Sequence, residues 1–242
     1  MDKNLYLNYC GIGSPTTENW KLKKDLGIQR FYYILGGTGG YFSADGKKNP
    51  FKKGCLYLFP YNLRHSFYND MSDPIIHLYF DFLSAPPIIS QEPMCIAVEQ
   101  DSTLYEALEF ACKMLKQNKG LPPSKAKRHL LQMLLDLLEE QAEIPFNTDE
   151  IICRALKTIQ DNYASTITVG DLAKEAGFEV NYFIRRFSKI MKQTPYAYLK
   201  NYRLIMAESL ISDGISAEKT AEQVGYESSA SLLRAIRRIK IN

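Results

Sequence analysis

The stretch Leu172-Ala173-Lys174-Glu175-Ala176-Gly177-Phe178 returns in kind 48 residues later as Thr220-Ala221-Glu222-Gln223-Val224-Gly225-Tyr226. The alanine Ala173/Ala221, the glycine and the aromatic coincide. A glycine closing a helical run supplies the left-handed residue on which many helices end. The small alanine lets a neighbouring helix come close, and a second amphipathic helix follows within a few residues. That is the layout of a helix-turn-helix. Two copies in register weigh against a chance pattern on two solvated helices.

The helix after each glycine can be phased at about 100° per residue. After the first copy, Phe183, Phe187 and Ile190 share a narrow arc and are expected to face the core. Asn181, Arg185, Ser188 and Lys192 oppose them, with Ile184 on the flank. After the second, Leu232, Ile236 and Ile239 form the core stripe, and Ala230, Arg234 and Arg237 oppose it with Leu233 on the flank. The two helices superimpose at an offset of 49 residues, which puts Arg185 and Arg234 at one phase. An arginine reads guanine O6 and N7 bidentately, and an exposed Ile or Leu can touch a thymine methyl. Other basic side chains suit phosphates.

Between the copies runs a helical segment from Pro195 to Ser212. Thr194 is placed to cap it, Pro195 fits its first turn, and Asp213-Gly214 ends it. Its length of ~27 Å is near the ~34 Å of one DNA turn, so the spacer can set two recognition helices on one face of a duplex.

With these blocks in order, residues from about Glu150 to Arg238 resemble the AraC/XylS family of regulators. The carriers are LAKEAGF and NYFIRRFSK, then Arg203 and Ala207 in YRLIMAESLI, then AEQVGYESSASLLRAIRR. The resemblance implies DNA contacts from Asn181, Ile184 and Arg185 in the first recognition helix. In the second it implies Ser229, Ala230, Ser231, Leu233 and Arg234. It also implies promoter DNA and RNA polymerase as partners, with an activator as one sign of regulation. Thr220 stands where the family usually has Ile or Leu, and Ile236 where it has a core Phe. The closing G-x-[ST]-P-x-x-[FY]-R does not occur before Asn242. The second unit is therefore expected to open more easily than the first.

Upstream the character changes. To about Ala97, short aromatic and aliphatic runs alternate with Gly, Asn, Asp and Pro, as in a β domain. Strands are expected at Arg30–Leu35, Tyr41–Ser43, Cys55–Phe59 and Ile75–Phe82, with GGTGG at 36–40 as a turn. Leu104–Lys116 and Ser124–Glu143 read as helices. In the second, Leu130, Met133, Leu134, Leu137 and Leu138 form an apolar stripe suited to a homodimer contact.

The run KGCLYLFP at 53–60, His65 and the strand IIHLYFDF resemble the cupin-like sensor half of the same family. Phe67, His77 and Tyr79 match in type the positions with which sugar-sensing relatives line their pocket. His65 and Tyr33 are further candidates for effector contact. The same rings would equally fill a barrel core. Only three histidines occur, without a His-x-His pair, so no metal site and no cofactor are expected. No nucleophile elbow or phosphate loop is present. A cupin-type enzyme, or an adaptor that does not bind DNA, is the alternative reading.

Composition agrees with a packed protein: 45% of the residues are hydrophobic. Up to Pro145 there are 16 basic and 16 acidic residues, and from Phe146 on 14 and 11, so the net charge of +3 lies wholly in the C-terminal part. Five scattered cysteines read as reduced thiols, and the absence of a leader or an apolar span of ~18 residues gives a cytoplasmic expectation with no membrane partner. The expected architecture is α+β with two domains. A cupin-like β-barrel covers 1–100, a helical linker and dimerisation segment 101–145, and an all-α double helix-turn-helix 146–242, its units at about 169–190 and 217–239.

Overall fold

A computed structural model describes residues 4–21, 28–43, 45–61, 66–90, 92–117, 125–147, 149–212 and 214–241. The chain divides into two compact units. One comprises mainly Leu5–Leu22 and Ile28–Pro145, and the other holds Phe146–Asn242.

The N-terminal unit contains β1 (Asn4–Gly13), β2 (Asn19–Lys21), β3 (Gln29–Gly36), β4 (Gly39–Phe42), β5 (Lys48–Pro50), β6 (Cys55–Phe59), β7 (Ser66–Asn69), β8 (Ile76–Ala85) and β9 (Met94–Ala97). Two helices follow, α1 (Thr103–Gln117) and α2 (Lys125–Gln141). Five strands form one sheet in the order β1-β8-β3-β6-β9, and four form a second in the order β2-β7-β4-β5. The cupin-like expectation thus takes the form of two sheets rather than one closed barrel. The central strand β3 pairs antiparallel on both sides, with Tyr32 opposite Tyr57 of β6 and Tyr79 of β8.

Residues of both sheets meet in one core. Tyr32, Ile34, Tyr57 and Phe59 come from the first sheet, Phe67 from the second, and Phe51 and Ile75 flank them. Alternation puts Phe31, Leu56, Leu58, Leu78, Phe80 and Phe82 on the other face of the five-stranded sheet, where they are also buried. On α2 the expected apolar stripe is divided. Leu130, Leu134 and Leu138 are buried within this unit, whereas Met133 is 39% exposed and Leu137 half-buried.

The C-terminal unit is all helical: α3 (Glu150–Asn162), α4 (Val169–Ala176), α5 (Val180–Met191), α6 (Pro195–Ser212), α7 (Ala217–Gln223) and α8 (Ser229–Ile241). As expected, α6 starts under Thr194, whose Oγ1 accepts the Ala197 N–H at 3.2 Å. This helix buries residues on more than one side. Tyr198 meets Phe187 of α5 at 5.8 Å between ring centroids, while Leu204 and Ala207 join Ala221, Val224, Leu232 and Ile236. A helix apolar around most of its girth is a core element, and α6 serves as the common core of both helix pairs.

Candidate nucleic-acid interface

The first helix pair is built by local caps. Thr168 Oγ1 accepts the Asp171 N–H while Asp171 accepts the Thr168 N–H, a reciprocal capping box that opens α4. Gly177, at φ 80°, closes it, and the Phe178 N–H reaches back to Ala173. Glu179 then caps α5 by accepting the Tyr182 N–H at 2.9 Å. These contacts set where α4 ends and α5 begins.

On α5 the buried row is Phe183, Phe187 and Met191. Met191 takes the inner place expected for Ile190, which is half-buried. Rows of four residues, rather than four and three, face α6, and the helix stops at the left-handed Lys192 (φ 53°). Asn181, Arg185 and Lys192 are exposed and Ile184 is half-exposed. Ser188 differs from the other candidates, since its Oγ is buried and makes no hydrogen bond. Two neighbours unassigned by the sequence border this face. Tyr182 is 40% exposed and stacks on Phe178 at 5.2 Å, and Arg186 is tied back to Asp149. An i, i+4 spacing from Phe178 to Tyr182 to Arg186 was the available signal.

The second pair repeats the plan. Ser216 caps α7, and Ser228 caps α8 by accepting the Ser231 N–H at 3.2 Å. The Ser231 hydroxyl donates back to the Ser228 carbonyl at 2.8 Å. Ala230, Leu233 and Arg234 are exposed, and Ser229 and Ser231 half-buried. The side chain of Ile239 lies outside the described residues. Arg234 Nε lies 3.3 Å from the Ala230 carbonyl, which lays the side chain along its own helix.

The two pairs share one anchor. Arg203 of α6 donates through Nε to the Tyr163 carbonyl at 2.6 Å and through Nη2 to the Ser165 carbonyl at 2.7 Å. A Cβ on Gly225 would stand 2.7 Å from the Ala164 oxygen and 3.2 Å from Arg203 Cζ. The second corner therefore packs directly on the end of α3.

In the N-terminal unit, Phe67, His77 and Tyr79 do come together. His77 lies 4.7 Å from Tyr32 and 5.6 Å from Tyr79, and Tyr32 lies 5.8 Å from Phe67, all between ring centroids. Burial holds the His77 imidazole down to about 4, hence neutral, and its Nδ1 has no hydrogen-bond partner. Tyr33 is not part of this group. It is on the opposite face of β3, beside Tyr105, Glu109 and Cys112 of α1, and burial pushes its hydroxyl up to about 12. Its neighbour Tyr32 occupies the inner position instead. His65 lies outside the described residues. Among the described residues no three His, Cys, Asp or Glu side chains cluster as metal ligands.

A two-sheet β unit followed by two helix-turn-helix pairs around a shared helix defines a DNA-binding class of fold. Residues 172–240 match a family model described as a helix-turn-helix domain. The chain is 27% identical over 103 residues to the uncharacterized HTH-type transcriptional regulator YbfI of Bacillus subtilis (strain 168), a match that covers 40% of this chain and 36% of that one. Solved structures extend the likeness to the whole fold. ToxT from Vibrio cholerae O395 superposes with a TM-score of 0.61 at 12% identity, covering 98% of this chain and 92% of that chain. Unsaturated fatty acid bound wild-type ToxT from strain SCE256 gives 0.63 at 12% identity, covering 99% and 93%. Residues 172–240 are thus a helix-turn-helix domain, and the chain as a whole shares the fold of ToxT.

Proposed function

We propose that this chain regulates transcription by binding promoter DNA through both helix-turn-helix pairs. One observation carries the reading: Arg185 and Arg234 stand exposed at matching positions of two recognition helices packed on one core helix, α6. Asn181, Ile184, Ala230 and Leu233 flank these arginines and supply polar and methyl-reading contacts. Ser229 and Ser231 border the second helix's face, Ser188 is the weakest candidate because its hydroxyl is buried, and Lys192 suits a phosphate. RNA polymerase is the proposed downstream partner, the cytoplasm the proposed place of action, and catalysis is not part of the role. No described helix is long and apolar enough to cross a membrane.

Binding of the protein to its own upstream DNA, followed by fluorescence anisotropy over a salt series, tests this. Arg185→Ala should cost ~1–3 kcal/mol of specific binding and relax specificity at one base pair. Lys192→Ala should weaken all sequences alike and flatten the salt dependence. Wild-type affinity of Arg185→Ala at near-physiological salt would overturn the assignment.

For the N-terminal unit a small-molecule effector is proposed at Phe67, His77 and Tyr79. A sugar-like ring suits aromatic walls with a few polar groups. A fatty acid, as in the bound form of ToxT, is the second reading. It is favoured by the apolar rings Phe51, Phe59 and Phe67 in the core beside Tyr79. Thermal-shift screening of both ligand classes, with Tyr79→Ala as control, separates them. A homodimer through the exposed strip of α2 is also proposed. Its test is Met133→Glu with Leu137→Glu, since Leu134 and Leu138 are already buried inside the unit.

A further inference from the structure

All five cysteines carry free thiols, and two of them meet. Strands β6 and β9 pair antiparallel with Cys55 opposite Ala97 and Tyr57 opposite Cys95. Residues two apart share a sheet face, so Cys55, Tyr57 and Cys95 project to the same side, with the two cysteines as diagonal neighbours. A diagonal pair usually sits ~7–8 Å apart, just beyond the ~4.4–6.8 Å between Cα atoms that a disulfide spans. Here the Cys95 thiol interacts with both Cys55 and the Tyr57 hydroxyl, which puts the two sulfurs nearer than that ideal spacing. The Tyr57 hydroxyl also accepts the Lys52 N–H at 2.9 Å, which fixes its orientation.

The two sulfurs differ in access. Cys95 is exposed on the edge strand β9, whereas Cys55 is 9% exposed and belongs to the ring-lined core. We propose that Cys95 and Cys55 form a hydroperoxide-reactive dithiol, with Cys95 as the attacking sulfur and Cys55 as the resolving one. Burial raises the Cys55 thiol, which makes it the poorer first nucleophile, while the Lys52 ammonium nearby opposes that rise.

The chemistry balances with hydrogen peroxide as the oxidant. The Cys95 thiolate attacks one peroxide oxygen, the O–O bond breaks, and water leaves after taking up a proton. The product is a sulfenic acid on Cys95. The Cys55 thiolate then attacks that sulfur, the S–O bond breaks, and a second water leaves. Two thiols are oxidised to one disulfide as one peroxide is reduced to two waters. The bond would staple the edge strand β9 to β6, directly before the chain enters α1.

The test treats the full chain with equimolar hydrogen peroxide, alkylates it with N-ethylmaleimide and maps peptides by mass spectrometry without reduction. The expected product joins the Cys55 and Cys95 peptides within one chain with the loss of two hydrogens. Dithiothreitol reverses it, and Cys10, Cys112 and Cys153 alkylate as before. Cys55→Ser should stop at a sulfenic acid on Cys95 that dimedone traps, and Cys95→Ser should form neither product. Tyr57→Phe should slow the reaction several-fold while leaving the product unchanged. Full alkylation of Cys95 after peroxide, linkage to another cysteine, or linkage only between chains would each overturn the proposal.

Discussion

Asp149 serves two helices at once. Its Oδ1 accepts the N–H groups of Ile151 and Ile152 at the start of α3, and its Oδ2 lies 3.0 Å from Nε of Arg186 on α5. Arg186 in turn donates to the Tyr182 hydroxyl at 3.3 Å. The recognition helix is thereby fixed in rotation about its own axis, which decides where the adjacent Arg185 points.

Replacing Asp149 separates the two roles. Asp149→Ala removes cap and clamp together and should destabilise the C-terminal unit by about 1 kcal/mol through the cap alone. Asp149→Asn keeps an acceptor for the cap but discharges the clamp. It should leave the melting temperature nearly unchanged while lowering specific DNA affinity a few-fold. Thermal denaturation and anisotropy on both variants check this. Identical affinity for Asp149→Asn and wild type would mean that Arg186 does not orient the helix.

The two corner glycines predict different costs. Gly177 and Gly225 both hold positive φ, at 80° and 75°. A Cβ on Gly177 would meet nothing within 4 Å, so Gly177→Ala should cost only the strain of the left-handed backbone, ~1 kcal/mol. On Gly225 the Cβ would also press on the Ala164 carbonyl and Arg203. Gly225→Ala should therefore cost clearly more and loosen both hydrogen bonds from Arg203. Chemical denaturation of the two variants gives the comparison, and equal losses would contradict it.

How legible these features were depended on the local signal. The helical repeat, its corner glycines and the exposed arginines follow from spacing, because a helix imposes its 3.6-residue period on every side chain; the N-caps Thr168, Glu179, Ser216 and Ser228 carry no such period. The strands β2 and β5 are three residues long, too short for any alternation to register. In β3, Phe31, Tyr32 and Tyr33 are all buried because both faces of the strand are covered. Alternation then carries no information on facing, so nothing in the sequence prefers Tyr32 over Tyr33. Ser188 illustrates another limit. Phasing on Phe183, Phe187 and Ile190 sets it on the outer face, but Met191 joins the buried row in place of Ile190, which turns the core arc toward Ser188 and buries its hydroxyl.

His77 predicts an acid-labile N-terminal unit. In the unfolded chain its imidazole titrates near 6.5, and in the folded unit burial lowers it to about 4. A lowered folded value means that stability is fully present above 6.5 and falls as the pH drops toward about 4. Across that window the loss should approach ~3 kcal/mol from this group. Other carboxyls titrate at the lower end, so the measurement is the difference between wild type and His77→Phe in denaturant melts from pH 7 to pH 4. A difference that does not change with pH would show that His77 is protonated as readily in the folded state.

The last prediction concerns Thr220, which occupies in α7 the place Leu172 holds in α4. Both are fully buried, but the Thr220 Oγ1 has no hydrogen-bond partner. A buried unpaired hydroxyl costs roughly 1–3 kcal/mol relative to one left in water. The cluster around it closes with Ile236, itself 7% exposed, where the first pair closes with the fully buried Phe183 and Phe187. The second helix pair should therefore open locally more often than the first. In hydrogen exchange without DNA, amides of residues 216–238 should exchange faster than those of 169–190. Thr220→Val keeps the shape and removes the orphan hydroxyl, so it should stabilise the second pair by ~1 kcal/mol and narrow the difference in exchange. If Thr220→Val instead destabilises, the hydroxyl has a partner in solution and the weakness of the second pair lies elsewhere.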